Sequence, residues 1–353
     1  MSDMHQLSYR GRGDLRIDQV PTLDPDAGEV RVRVHSVGIC MSDIYGVSGR
    51  NDRRDVVLGE GDVLVMGHEI SGQIEALGSG VAGPPVGTAV AVNPIFGCGA
   101  CAACLRGDEN LCGARTVHGC APAAPGGFAD TIVLPARNVV PLAPGTTPEI
   151  GALVEPLSVG FHGVRLAALD AADDVLVIGG GIIGLGAALA AQREVGDRVL
   201  VLEPRAERRA LAETLGLRTG HPDDLDQLDG AFSVALDCVA RPETFAGAVR
   251  AVPEGGRVIL VGIYSDEIPL PVSMVVWRET RIIGSYGYSH ADVVDVAAWV
   301  GSGEVDLQPL IQHRVGYDGL IGAFGAYADG SLTAVRTLFQ PEFGAATDDP
   351  PHQ

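Results

Sequence analysis

The sequence predicts a two-domain protein of the α/β class, a β-rich domain followed by a doubly wound parallel sheet, on three observations. The first is alternation: Val30, Val32 and Val34 against Arg31, Arg33 and His35, the period of a half-buried antiparallel strand. The second is a glycine turn at Gly179, Gly181 and Gly184, set between an apolar run and a helical one. The third is the recurrence after that turn of apolar runs, "FSVALDCV", "GGRVILVGI" and "RIIGSYGY", with helical segments between them. At 353 residues the chain is long for one core, and 48 glycines suit a fold rich in turns and close backbone approaches.

Each element follows in chain order. The strand around residues 30–36 is joined by shorter apolar runs, "ISGQIEALG", "GTAVAV" and "GGFADTIVLP", separated by Gly and Pro, so a compact barrel-like β domain extends to about residue 150. Inside it lies "GCGACAACLRGDENLCG". Two-residue gaps let the thiolates of Cys98, Cys101 and Cys104 converge, and a loop brings round Cys112, as a closed Cys₄ zinc site requires; an iron-sulfur cluster is the competing occupant. Cys120 and Cys238 read as small buried thiols. From Glu149 to Leu169 the period is helical, with Glu155 among apolar neighbours, where it is either paired, bound to a metal, or capping a turn before Pro156.

The second domain opens with a strand at Val175–Ile178, the glycine turn, a helix from Ile183 to Glu194, and a second strand at Val199–Leu202 closed by Glu203. In that context backbone N–H groups at the helix N-terminus, around Gly179, Gly181, Ile183 and Gly184, hold a pyrophosphate, and Glu203 accepts from the adenosine ribose hydroxyls. A carboxylate there repels a 2′-phosphate and favours NAD over NADP. Arg205 and Arg208 are the guanidinium groups that would act the other way. The apolar run Val175 to Ala191 has the length of a membrane span, but its packed glycines fit strand, turn and buried helix better. From about Ser289 the chain returns to the first domain.

Charge and leader content narrow the function. Lys and Arg number 25 against 45 Asp and Glu, a formal net charge of −20, which excludes nucleic acid and anionic lipid as partners and would attract a cationic substrate. Met1 to Arg10 lacks the apolar core of a secretion signal and the seven cysteines are clustered, so a reducing, cytoplasmic setting is expected. The chemistry centres on Cys40-Met41-Ser42-Asp43 and Gly67-His68-Glu69. Thiolate, imidazole and carboxylate together form a ligand set that holds Zn²⁺ with a position open to a substrate oxygen.

Those motifs, with "GHEISG", "VEPLSVGFHG" and the cysteine quartet in the same order, resemble the zinc-dependent medium-chain alcohol dehydrogenase superfamily over essentially the whole chain. Glu155, in place of a cysteine, makes it similar to the polyol and threonine dehydrogenase branch. The resemblance implies a GroES-like catalytic domain over 1–152 and 289–353 and a Rossmann NAD-binding domain over 153–288. It implies two zinc ions per chain, one structural on the cysteine quartet and one catalytic on Cys40, His68, Glu69 and Glu155, with either carboxylate as the direct ligand. Asp43 would orient His68, Ser42 would be the relay hydroxyl, and Tyr45 stands where many members carry a histidine shuttle. The implied reaction is oxidation of a secondary alcohol on a polyol, sugar, cyclitol or amino sugar, with hydride transfer to NAD. The alternatives are the reverse reduction of an aldehyde or ketone, and a non-catalytic nucleotide-binding relative. Pairing of "RIIGSYGY" edges would give a homodimer or homotetramer, and Tyr45, Phe96 and Trp277 are candidate pocket walls.

Overall fold

The structure is a computed structural model that describes residues 3–48, 58–264, 267–270 and 272–344. The chain divides into two compact units, one of Met1–Ile95, Thr116–Leu153 and Ile311–Gln353, the other of Phe96–Arg115 and Val154–Leu310.

The first unit is built on a seven-stranded sheet. Its order runs Val139–Pro141, Ala89–Val92, Glu69–Leu77, Glu29–Gly38, Arg336–Phe339 and Ile311–Val315, with Thr131–Pro135 also paired to Glu29–Gly38. Alternation in the central strand is realised as expected: Val30, Val32 and Val34 are buried, whereas Arg31, Arg33 and His35 are not. Burial of those valines beside Ile70, Ile74, Phe128 and Phe339 supplies the core, where Phe128 meets Phe339 edge-on at 5.8 Å. Leu338 pairs with Gly38, so the last described strand lies directly against the strand that leads to Cys40.

The second unit carries a six-stranded sheet, every pair of which is parallel. Its order is Arg218–Gly220, Val199–Leu202, Val175–Ile178, Val234–Asp237, Arg257–Leu260 and Arg281–Gly284. The order reverses between Val175–Ile178 and Val234–Asp237, and a parallel sheet opens a ligand crevice at the carboxyl ends of strands at such a point. The run Val175 to Ala191 is a four-residue buried strand, a turn and the first part of the helix Ile182–Val195. Among the described residues no helix is long and apolar enough to cross a membrane.

Two boundaries differ from the sequence reading. The chain rejoins the first unit at Ile311 rather than at 289, because the helix His290–Ser302 packs along Val154–Ala167. Buried Asp292 fastens it there, accepting from His162 Nδ1 at 2.8 Å and pairing with Arg165 at 2.9 Å. The cysteine-rich segment Phe96–Arg115, expected in the first domain, groups with the second unit. Asn110 Nδ2 donates to the Tyr286 carbonyl at 2.7 Å, and the Arg115 guanidinium lies 4.5 Å from the Tyr286 ring centre. The helical stretch expected over 149–169 is two helices, Pro148–Gly151 and Val154–Ala167.

Candidate functional site

Sheet register builds the first group. Gly38 stands opposite Glu69, so Cys40, just beyond one strand, and His68, just before the other, leave the sheet at the same end. A Cβ on Gly38 would lie 1.9 Å from Glu69 Oε2, so only glycine lets the carboxylate pack there. One ligand atom each from Cys40, His68 and Glu69 lies within 4.8 Å of the others, near enough for one cation with bonds of about 2.0 to 2.3 Å to gather them. Asp43 serves two of the three. Its Oδ1 stands 3.4 Å from His68 Nδ1 and its Oδ2 accepts from the Cys40 amide at 3.1 Å. Burial opposes charge on His68, but the Asp43 carboxylate outweighs it, aided by hydrogen bonds with the Cys120 and Cys40 thiols, and holds the ring pKa well above its ordinary value. Ser42 lies in the first turn of the helix Met41–Ser48, where its amide donates to Cys40 Sγ at 3.5 Å; Tyr45 is 37 % exposed one turn on.

Glu69 is 1 % exposed and is charge-paired. Arg336 Nη1, on a side chain equally buried, lies 3.0 Å from Glu69 Oε2 and donates to the Ile39 carbonyl at 2.6 Å. A buried carboxylate is costly unless such a partner compensates it.

The second group is the cysteine quartet, whose sulfurs also lie within 4.8 Å of one another. Cys101 and Cys104 are 3.5 Å apart, Cys98 and Cys104 4.0 Å. Amides of Cys98 and Ala114 donate to Cys112 Sγ, and the amide of Cys101 to Cys98 Sγ, each at 3.4 Å. Amide donors from Ala100 and Cys101 bring the Cys98 thiol down to about 6, while desolvation and its thiol neighbours push Cys104 up to about 12. Four converging sulfurs wrapped by amide donors fit a closed tetrahedral zinc site.

The third group belongs to the second unit. Gly179 has φ +107°, and a Cβ on Gly184 would meet the Gly179 carbonyl oxygen at 1.8 Å, so turn and helix require both glycines. Gly181 caps the helix Ile182–Val195 without a side chain, leaving the first-turn amides to face an anion, with Ile183 in that turn. Glu203 follows Leu202 and is buried; its Oε2 accepts from the Gly180 amide at 2.8 Å and its Oε1 from the Arg205 amide at 3.0 Å. The carboxylate thus sits across the glycine turn. Arg208 lies half-buried on the helix Ala206–Thr214, and Arg209 donates to the Glu203 and Pro204 carbonyls at 2.8 Å. Glu155, in the first turn of Val154–Ala167, is buried and accepts from the buried Tyr288 hydroxyl.

With this geometry stand the comparisons with known proteins. The family model of the alcohol dehydrogenase GroES-like domain matches residues 26–144, and that of the zinc-binding dehydrogenase matches 183–302. A 2-dehydro-3-deoxy-L-galactonate 5-dehydrogenase of Pseudoalteromonas atlantica is 33 % identical, over 96 % of this chain and 98 % of its own. A sorbitol dehydrogenase of Arabidopsis thaliana is also 33 % identical, over 90 % and 91 %. The chain belongs to the zinc-dependent medium-chain alcohol dehydrogenase superfamily. Within it the chain falls in the polyol dehydrogenase-like branch and is a zinc- and nicotinamide-dependent oxidoreductase. Among solved structures, an acetophenone reductase of Geotrichum candidum in complex with NAD superposes with a TM-score of 0.84 at 26 % identity, covering 96 % of this chain and 98 % of the other.

Of the candidate pocket walls, Trp277 is 83 % exposed on the helix Val272–Arg278 and Phe96 is half-buried. Cys120 is exposed rather than buried and touches His68, whereas Cys238 is half-buried, its thiol pushed up by burial. Sequence reasoning missed Arg336, Cys120 and Tyr288. For Arg336 a signal existed, since a carboxylate within an apolar strand needs a cation, and "AVRTLF" sets an arginine in an apolar run. For the other two, pairing across more than a hundred residues in the case of Glu155 with Tyr288 left no local trace.

Proposed function

We propose that the chain oxidises a secondary alcohol on a polyhydroxylated substrate, a polyol or sugar acid, and passes the hydride to NAD. The observation that carries this is the convergence of Cys40, His68 and Glu69, with Asp43 behind the first two, in a chain 33 % identical to a sugar-acid dehydrogenase along nearly its full length.

In this reading Cys40 and His68 hold the catalytic zinc, with Glu69 and Glu155 as its carboxylate contacts, and Cys98, Cys101, Cys104 and Cys112 hold the structural one. When bound, zinc lowers the pKa of an alcohol oxygen and NAD accepts the hydride. The chain's own groups do the rest. Asp43 fixes the His68 ring and the Cys40 backbone. Arg336 pairs with Glu69 and holds its carboxylate in place. Ser42 takes the proton first, and Tyr45, partly exposed one turn further along the same helix, shapes the pocket. Gly179, Gly181, Ile183 and Gly184 cradle the pyrophosphate, Glu203 accepts from the ribose and disfavours a 2′-phosphate, and Arg208 flanks the adenine.

The acidic surface suits an amino-bearing substrate, whose capture would weaken as salt rises. The protein works in the cytoplasm as a homodimer or homotetramer. The strand Arg281–Gly284 closes one edge of the six-stranded sheet, and Val272, Val276 and Trp277 lie exposed just before it in the chain. A monomer by sedimentation velocity would refute that assembly. Reduction of a ketone is the same chemistry reversed, with direction set by cofactor ratio.

The test is NAD⁺ reduction against polyols, sugars, sugar acids, cyclitols and amino sugars, repeated with NADP⁺. Turnover on a polyhydroxylated member with NAD⁺ preferred is the result this reading requires. Turnover confined to simple alcohols, or preference for NADP⁺, would refute it.

A further inference from the structure

Asp237, at the carboxyl end of the strand Val234–Asp237, is fully buried and has no part in the chemistry above. It lies at the point where the strand order reverses. Its Oδ1 accepts from the Val239 amide at 2.9 Å and the Ala240 amide at 3.2 Å; its Oδ2 accepts from Thr244 Oγ1 at 2.8 Å and from the Tyr264 hydroxyl. Four donors on one carboxylate is a complete shell. The Asp237 carbonyl meanwhile accepts from the Val261 and Gly262 amides at 2.9 Å.

What this shell holds is a strained turn. Ala240 has φ +67°, one of three non-glycine residues with positive φ among the described residues, and an alanine adopts that backbone only when its surroundings impose it. The turn is pressed between two glycines. A Cβ on Gly179, the first glycine of the dinucleotide turn, would meet Val239 Cγ2 at 2.7 Å, and one on Gly262 would meet Ala240 Cβ at 2.7 Å. The Val239 side chain, 39 % exposed, therefore rests on the glycine turn and faces outward at the crevice. Burial, and then the Asp237 carboxylate, raise the Tyr264 pKa far above its ordinary value, so the phenol stays a donor.

We infer that Asp237, with Tyr264 and Thr244, is a positioning clamp that holds Cys238–Ala240 in its left-handed turn so that Val239 forms the dinucleotide wall beyond Gly179. The inference rests on the nucleotide reading given above. A carboxylate serving only the fold would bind backbone or side chains without gripping the one strained turn that abuts the glycine motif.

The test is NADH binding to the full-length protein by fluorescence titration, with thermal unfolding measured alongside. Asp237→Asn, which replaces one acceptor oxygen with an NH2 donor set against donors, should weaken NADH binding about tenfold, the effect of losing one charge-assisted hydrogen bond. Tyr264→Phe, a milder change, should weaken it several-fold. Ala240→Gly adopts the turn without the clamp and should restore most of the lost affinity in the Asp237→Asn background. Variants that unfold at lower temperature yet bind NADH as wild type does would overturn the clamp, as would a double variant no tighter than Asp237→Asn alone. If Asp237→Asn fails to fold, the same pair of outcomes is read from Tyr264→Phe with and without Ala240→Gly. Failure of the wild-type chain to bind NADH would instead refute the nucleotide reading itself and the clamp with it.

Discussion

Replacing Arg336 by Met should destabilise the first unit far more than loss of a surface charge would. Arg336 and Glu69 are buried together, at 3 % and 1 % exposure, with 3.0 Å between charged atoms and a second bond from the guanidinium to Ile39. Met keeps the aliphatic stem and its packing, so the change isolates the charge. Removing one partner of a buried pair costs about 3 to 5 kcal/mol, because the remaining carboxylate is stranded out of water. At about 2 to 4 °C per kcal/mol for a unit of this size, Tm should fall by roughly 6 to 20 °C. Glu69→Gln in the same background removes the stranded charge and should recover more than half of the loss, a coupling that separates the ion pair from generic core damage. The assay is circular dichroism melting of metal-free protein, so that ligand loss at Glu69 does not enter. A Tm within about 2 °C of wild type for Arg336→Met, or a double variant no more stable than the single, would refute the argument.

Cys104→Ser should lower zinc content by one ion per chain by atomic absorption and leave the cysteine-rich segment open to proteolysis, since that segment has few buried apolar side chains of its own; unchanged zinc would refute the closed site. Glu149 is gripped by Nε and Nη2 of Arg314, at 2.6 and 2.9 Å, which holds its carboxyl below the ordinary 4.5. A depressed pKa stabilises fully above the ordinary value and is lost as pH falls through the folded one. The urea midpoint of Arg314→Leu should therefore trail wild type at pH 7 and converge with it as the pH falls below the ordinary carboxylate range and Glu149 protonates in both folded and unfolded chains, and a constant gap would refute the linkage.

The parts of the fold visible in the sequence were those written in local patterns. Val30, Val32 and Val34 alternate within one strand, and Gly179, Gly181 and Gly184 sit between a strand and its helix, so each declares its element without reference to distant chain. Clustered cysteines likewise carry their own geometry. What stayed hidden was set by pairing at long range. Arg336 reaches Glu69 only because its strand lies against Glu29–Gly38, and Tyr288 reaches Glu155 only through the packing of the second unit. The packing of His290–Ser302 stayed hidden for the same reason: its tie is Asp292 to His162 and Arg165, which no spacing along the chain reveals. Cys120 shows the converse, since a lone thiol gives no sign of being set beside His68.

The most direct test of the central claim is zinc content measured together with NAD⁺-dependent turnover in wild type and His68→Ala. Two zinc ions per chain falling to about one, with turnover lost and the melting transition retained, is the predicted result. Two zinc ions in the variant, or turnover that survives the loss of one, would contradict a catalytic metal held by Cys40 and His68.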